Sequence, residues 1–89
     1  SEAWSVEQLA RSVGMSRSSF FSRFKTLVGE SPSQYLTRWR IHLASRLLRD
    51  DGASVSAAAR EVGYSTDAAF SNAFKRVMGV RPGAYRRSA

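Results

Sequence analysis

Eighty-nine residues make one small domain or two very small ones, and 43% hydrophobic with 11% aromatic content is enough for a packed core, which excludes a disordered basic tail. There is no cysteine and only one histidine, His42, so disulfides, thiolate zinc sites and a histidine metal cluster are excluded, and no cofactor is expected. Fourteen Lys and Arg against seven Asp and Glu leave a net charge of +7, which makes a polyanion the expected partner and nucleic acid the first candidate.

In chain order, Ser5-Val6-Glu7-Gln8 is a capping box that opens a short helix through Val6, Leu9, Ala10 and Val13. Gly14 stops it. Ser16 caps a second helix, Arg17 to Val28, whose expected buried face is Phe20, Phe24, Leu27 and Val28. Gly29 closes that helix, and Ser31-Pro32-Ser33-Gln34 opens a long one. Pro32 sits at its first position, where a missing N–H costs nothing. Leu36, Trp39, Leu43, Ala44, Leu47 and Leu48 recur along it at helical spacing, which predicts a single apolar stripe with Trp39 in the core. Asp50-Asp51-Gly52 ends it. No apolar run approaches the ~20 residues of a membrane span, and no signal peptide is visible. The chain begins inside a patterned segment, as a fragment of something longer would.

After Gly52 the pattern restarts. Ser54, Val55, Ala59, Arg60, Val62 and Gly63 repeat Ser5, Val6, Ala10, Arg11, Val13 and Gly14 at a shift of 49. Phe70, Phe74, Lys75, Gly79, Pro82 and Tyr85 then repeat Phe20, Phe24, Lys25, Gly29, Pro32 and Tyr35 at a shift of 50, as one residue inserted in the turn would produce. Each copy is a short helix, a glycine turn and a second amphipathic helix, the signature of a helix-turn-helix unit whose second helix enters the DNA major groove. The expected fold is all-α: a first unit at residues 1–31, a linker helix at 32–50 and a second unit at 51–89. A linker helix of about eighteen residues spans ~27 Å. With the width of the flanking units, that approaches the ~34 Å between successive major-groove turns on one face of DNA.

These features resemble the DNA-binding domain of the AraC/XylS family of bacterial transcription regulators, over nearly the whole chain from Trp4 to Arg87. The resemblance is carried chiefly by Ala58-Ala59-Arg60-Glu61-Val62-Gly63-Tyr64-Ser65, by Phe70 to Arg76, and by Gly79-Val80-Arg81-Pro82-Gly83-Ala84-Tyr85-Arg86-Arg87. Trp39-Arg40-Ile41, Ala44 and Leu47-Leu48 are similar to the family's linker helix. The resemblance implies homeodomain-like units, seven helices in the complete domain, binding of one chain across two adjacent major grooves, and an effector-sensing or dimerising domain on the N-terminal side. It also implies a cytoplasmic, nucleoid-associated bacterial protein. The family's first helix would precede Trp4, which leaves the first unit with less cover than the second.

With Phe20 and Phe24 inward, Ser18 and Ser22 fall on the opposite face of their helix and Phe21 at its edge. The matching positions in the second unit are Ala68, Ser71 and Asn72, with Asp67 in the first turn. Family members read bases from these positions, and groove geometry favours the N-terminal half of the helix. Asn72 can pair bidentately with adenine, and Phe21 or Ala68 can touch a thymine methyl. For phosphate the candidates are Arg17, Arg23, Lys25, Arg40, Lys75, Arg76, Arg86 and Arg87. Each has a bland alternative: the serines as solvent-facing filler, Phe21 as a core edge, and any single arginine as a solvated surface charge.

Two other classes compete. A helical protein-interaction module would turn the same helices toward a partner such as RNA polymerase and needs an exposed apolar groove. An accessory domain of a DNA-repair enzyme would share the fold, but the chain holds no nucleophile with its base, no carboxylate pair and no metal cluster, so it is not itself an enzyme. The operator, the effector, the sign of regulation and the parent's oligomeric state are not written in these residues.

Overall fold

Serine and threonine start most of these helices by accepting a hydrogen bond from the third helical amide. Ser5 takes the N–H of Gln8, Ser16 that of Ser19, Ser31 that of Gln34, Ser54 that of Ala57 and Thr66 that of Ala69. Each such bond satisfies a backbone donor that the helix leaves orphaned, worth about 1 kcal/mol. Gln8 and Gln34 return the bond to the backbone N–H of Ser5 and Ser31, completing both expected capping boxes. At the other end, Gly29 and Gly79 adopt φ of +93° and +85° and donate to the carbonyls of Lys25 and Lys75. Only glycine takes that conformation without strain.

The computed structural model of the protein describes residues 5–88. It is all-helical over those residues: α1 (Val6–Ser12), α2 (Arg17–Val28), α3 (Pro32–Asp50), α4 (Val55–Glu61), α5 (Asp67–Met78) and α6 (Pro82–Ser88). The part of the resemblance that rests on Trp4 lies outside the described residues. The chain divides into two compact units, one up to Thr37 and the other from Arg38, with the boundary inside α3.

The C-terminal unit is built on nine buried residues: Ile41, Ala44 and Leu48 of α3, Ala58 and Ala59 of α4, Val62, and Phe70, Ala73 and Phe74 of α5. Burying side chains as large as Phe70 and Phe74, both fully buried here, contributes about 1.5–3 kcal/mol each. Their rings lie 5.6 Å apart, with Tyr64 at 5.7 Å from Phe70 and Tyr85 edge-on at 5.4 Å from Phe74. Tyr85 brings α6 onto the core. Arg86 then ties α6 to the turn after α3: Nε donates to the Ala53 carbonyl at 2.8 Å and Nη2 to that of Gly52 at 3.4 Å.

The N-terminal unit repeats the plan with less cover. Val6, Ala10 and Pro32 are buried, and the Phe20, Phe24 and Tyr35 rings follow one another at 5.7 Å (tilted) and 5.6 Å (edge-on). Yet α2 has no buried residue, and Phe20 and Phe24 are only half-buried.

Three expectations need correction. Leu27 and Val28, read as core, are 77% and 47% exposed, while their counterparts Val77 and Met78 pack against the C-terminal core. Val13, read as part of the apolar face of α1, is 58% exposed, where Val62 is buried. Trp39 is 51% exposed. The buried line of α3 is Ile41, Ala44 and Leu48, and at 3.6 residues per turn Trp39 points about 160° away from Ile41. Ala44 and Leu48 of the expected stripe are thus buried and Leu43 and Leu47 pack against the same core, whereas Leu36 is half-buried. Ser45 shares the buried side, its hydroxyl satisfied by the His42 carbonyl at 2.7 Å.

Candidate nucleic-acid interface

Burying one face of α5 through Phe70, Ala73 and Phe74 turns the opposite face outward. Asp67, Ala68, Asn72, Lys75 and Arg76 are exposed on it, and Ser71 is half-buried. On α2 the outward set is Ser18, Ser22, Arg23 and Lys25, with Phe21 half-buried at the edge. Ser18, Ser19, Ser22 and Arg23 line a shallow open depression together with Met15 from the preceding turn. These helices present mostly hydroxyl, amide and cationic groups, the types that read base edges and bind phosphate.

Each unit locks its first helix to the start of its second with one polar contact, and the contacts fall at equivalent positions. In the N-terminal unit Arg17 Nε donates to Glu7 Oε2 at 2.8 Å. In the C-terminal unit Ser56 Oγ donates to Asp67 Oδ2 at 2.6 Å. The charge at the start of the second helix is reversed between copies, cationic at Arg17 and anionic at Asp67. Asp67 suits the positive end of the helix dipole, whereas Arg17 opposes it and is offset by Glu7. Arg17 also lies over the Phe21 ring, its Cζ 4.5 Å from the centroid. Both residues chosen from the sequence are thus held by neighbours: Asp67 has one oxygen engaged, and the face of Phe21 is covered by a cation.

The phosphate candidates separate by what holds them. Arg23, Lys25, Lys75, Arg76 and Arg87 are exposed, and Arg40 is half-buried. Arg86 is committed to the carbonyls of Gly52 and Ala53 and reinforces the fold as it stands. Sequence reasoning missed Arg81. Its Nη1 donates to Ser71 Oγ at 2.9 Å and to Asn72 Oδ1 at 3.4 Å, so a guanidinium sits against two of the candidate reading residues. The signal available in sequence was weak: an arginine standing where the first copy has the capping Ser31.

At the end of α3 Arg49 forks onto Asp50 at 3.0 and 3.4 Å and donates to the Tyr85 hydroxyl at 3.4 Å. The hydrogen bond from Arg49 holds the Asp50 carboxyl below its usual range, and the same contact raises Arg49. This carboxylate would otherwise oppose the negative end of the helix dipole. Among the described residues there is no cluster of three metal-ligating side chains, and no helix is long and apolar enough to cross a membrane.

Fold and site together define a tandem helix-turn-helix domain, and the comparisons with known proteins agree. Residues 9–88 match the family model of a helix-turn-helix domain. A putative AraC-like transcription regulator of Streptomyces antibioticus is 49% identical over 85 residues, and the transcriptional regulator AlkR of Acinetobacter baylyi 42% identical over 86. The matches cover 96% and 97% of this chain and 28% of each relative. The chain therefore spans under a third of the length of the curated relatives it matches. Among solved structures, the DNA-binding domain of the global transcriptional factor AdpA, in complex with a target DNA, is 38% identical with a TM-score of 0.89, covering 98% of this chain and 78% of that one. The C-terminal domain of AraT, a response regulator from Geobacillus stearothermophilus, is 34% identical with a TM-score of 0.89, covering 97% of this chain and 71% of that one. The chain belongs to the AraC-type helix-turn-helix family.

Proposed function

We propose that this chain binds double-stranded DNA sequence-specifically as the DNA-binding part of a bacterial transcription regulator, with α2 and α5 as the two reading helices in successive major grooves. The observation that carries it is the duplication. In both copies a capped second helix turns its phenylalanine pair inward and polar side chains outward, hydroxyl and cationic on α2, hydroxyl, amide and cationic on α5, in a chain of net charge +7. The similarity to the AdpA domain, whose structure contains a target DNA, supports the same reading. Base reading falls to Ser18, Phe21 and Ser22 on α2 and to Asp67, Ala68, Ser71 and Asn72 on α5. Positioning on phosphate falls to Arg17, Arg23, Lys25, Arg40, Lys75, Arg76, Arg86 and Arg87, with Arg17 and Arg86 giving up their present partners. The chain acts by binding and not by catalysis, in the bacterial cytoplasm at the nucleoid, joined to a sensing or dimerising domain.

Leu27 at 77% exposure and Trp39 at 51% give a second reading some footing, in which apolar surface docks on RNA polymerase or on another domain. Titrating DNA affinity against salt separates the two. Neutralising Z phosphates makes the logarithm of affinity fall with the logarithm of salt at a slope of about −0.9Z. Six or more contacts then cost roughly a thousandfold between 50 and 200 mM salt. A docking module with no DNA role shows no such dependence, and its partner binding survives salt.

A further inference from the structure

The residue before the proline of each repeat is Ser31 in the first copy and Arg81 in the second. Both occupy the N-cap of the helix that follows: the Tyr35 N–H donates to the Ser31 carbonyl and the Tyr85 N–H to the Arg81 carbonyl, each at 3.0 Å. Ser31 uses its side chain as a cap, accepting from the Gln34 N–H at 3.2 Å. An arginine side chain has no acceptor and cannot do this. The second copy thus forgoes a cap and places an arginine whose side chain turns away from its own helix, onto Ser71 at 2.9 Å and Asn72 at 3.4 Å of α5. Natural proteins tend to depart from such local stability rules at functional sites.

The chemistry of the contact says what that function is. Arg81 carries donors only and reaches the Asn72 carbonyl oxygen at 3.4 Å, which leaves the Nδ2 protons as the end of the amide free to donate. Ser71 accepts from Arg81 at Oγ and keeps its own proton to donate. The result is a cluster of donors carrying positive charge. In the major groove guanine offers two acceptors, N7 and O6, whereas adenine pairs one acceptor, N7, with the N6 amino donor. An asparagine free at both ends favours adenine; one whose oxygen is held by a guanidinium meets the adenine amino group with charge of the wrong sign.

We propose that Arg81 is a specificity-determining residue that turns Asn72 from an adenine reader into a guanine reader. This rests on the assignment of the exposed face of α5 to base reading. Binding sites are selected from randomised duplexes with the unsubstituted 89-residue chain and with Arg81→Ser, Arg81→Met and Asn72→Ala. The unsubstituted chain selects guanine at one position in the half of its site read by α5. Arg81→Ser, which supplies the capping hydroxyl of the first copy, moves that position to adenine, changing the guanine-to-adenine ratio by about tenfold or more. Arg81→Met, which keeps the length of the side chain without its donors, moves it the same way. If both Arg81 variants keep guanine the proposal is overturned, and if they weaken all sequences alike with a shallower salt slope Arg81 is a phosphate contact instead. It is equally overturned if the unsubstituted chain selects adenine there. Asn72→Ala separates the two layers: if it relaxes one position that the Arg81 variants leave alone, only the role of Arg81 falls. If Asn72→Ala leaves every position unchanged, the assignment of the α5 face falls with it.

Discussion

Asn72 and Arg76 stand four residues apart on α5, both exposed, and their chemistry separates specificity from affinity. A planar amide in the N-terminal half of the helix can distinguish one base pair, while a flexible cation one turn further on meets phosphate of any sequence. Asn72→Ala should therefore cost about 1–3 kcal/mol at one base pair and relax the preference there. Arg76→Ala should weaken all sequences alike and lower the salt slope by about one unit. Competition binding against single-base variants of the selected site checks both, and an unchanged motif in Asn72→Ala would remove that face of α5 from base reading. Several single residues were legible in the sequence through a local rule, although Thr66, which caps α5 by the same rule, was not read. Ser5, Ser16, Ser31 and Ser54 cap helices because hydroxyl, spacing and following helix lie within four residues of one another. Arg81 was not legible, because its partners lie nine and ten residues away and it is one of fourteen cations in the chain.

The two helix-turn-helix units share their sequence pattern and differ in how well each closes its core. Phe70 and Phe74 are fully buried, whereas Phe20 and Phe24 are half-buried and α2 has no buried residue at all. Each Å² of apolar surface left in water forgoes about 25 cal/mol, so a few half-covered side chains amount to several kcal/mol. That is comparable to the whole stability of a small domain. The N-terminal unit should therefore open at lower free energy. In hydrogen exchange on the monomer, the amides of Ala10 and Val13 should exchange faster than those of Ala59 and Val62; equal protection would show that the N-terminal unit closes its own core. The extents of α2 and α3 were legible to the residue, since serine caps and glycine stops bracket them. The facing of α3 was legible only in part: Ala44 and Leu48 of the expected stripe are buried and Leu43 and Leu47 pack against the same core, but Ile41 was not read and Trp39 lies exposed. Helical spacing admits several neighbouring lines, and only packing against α4 and α5 selects among them. The same limit hid the exposure of Leu27 and Val28, whose counterparts in the other unit do pack.

At the scale of the whole chain, one polypeptide carries the two proposed reading faces, which differ in every side chain. Ser18, Phe21 and Ser22 form one, and Ala68, Ser71 and Asn72 the other, with opposite charge at the helix starts, Arg17 and Asp67. Two different faces on one chain predict a site of two different blocks, with no palindrome, occupied by a single copy. Footprinting of the chain on a duplex chosen by selection tests this most directly: it should protect two dissimilar short blocks about one helical turn (~10 bp) apart at one chain per duplex, whereas a single protected block, or a symmetric site filled by two chains, would contradict it.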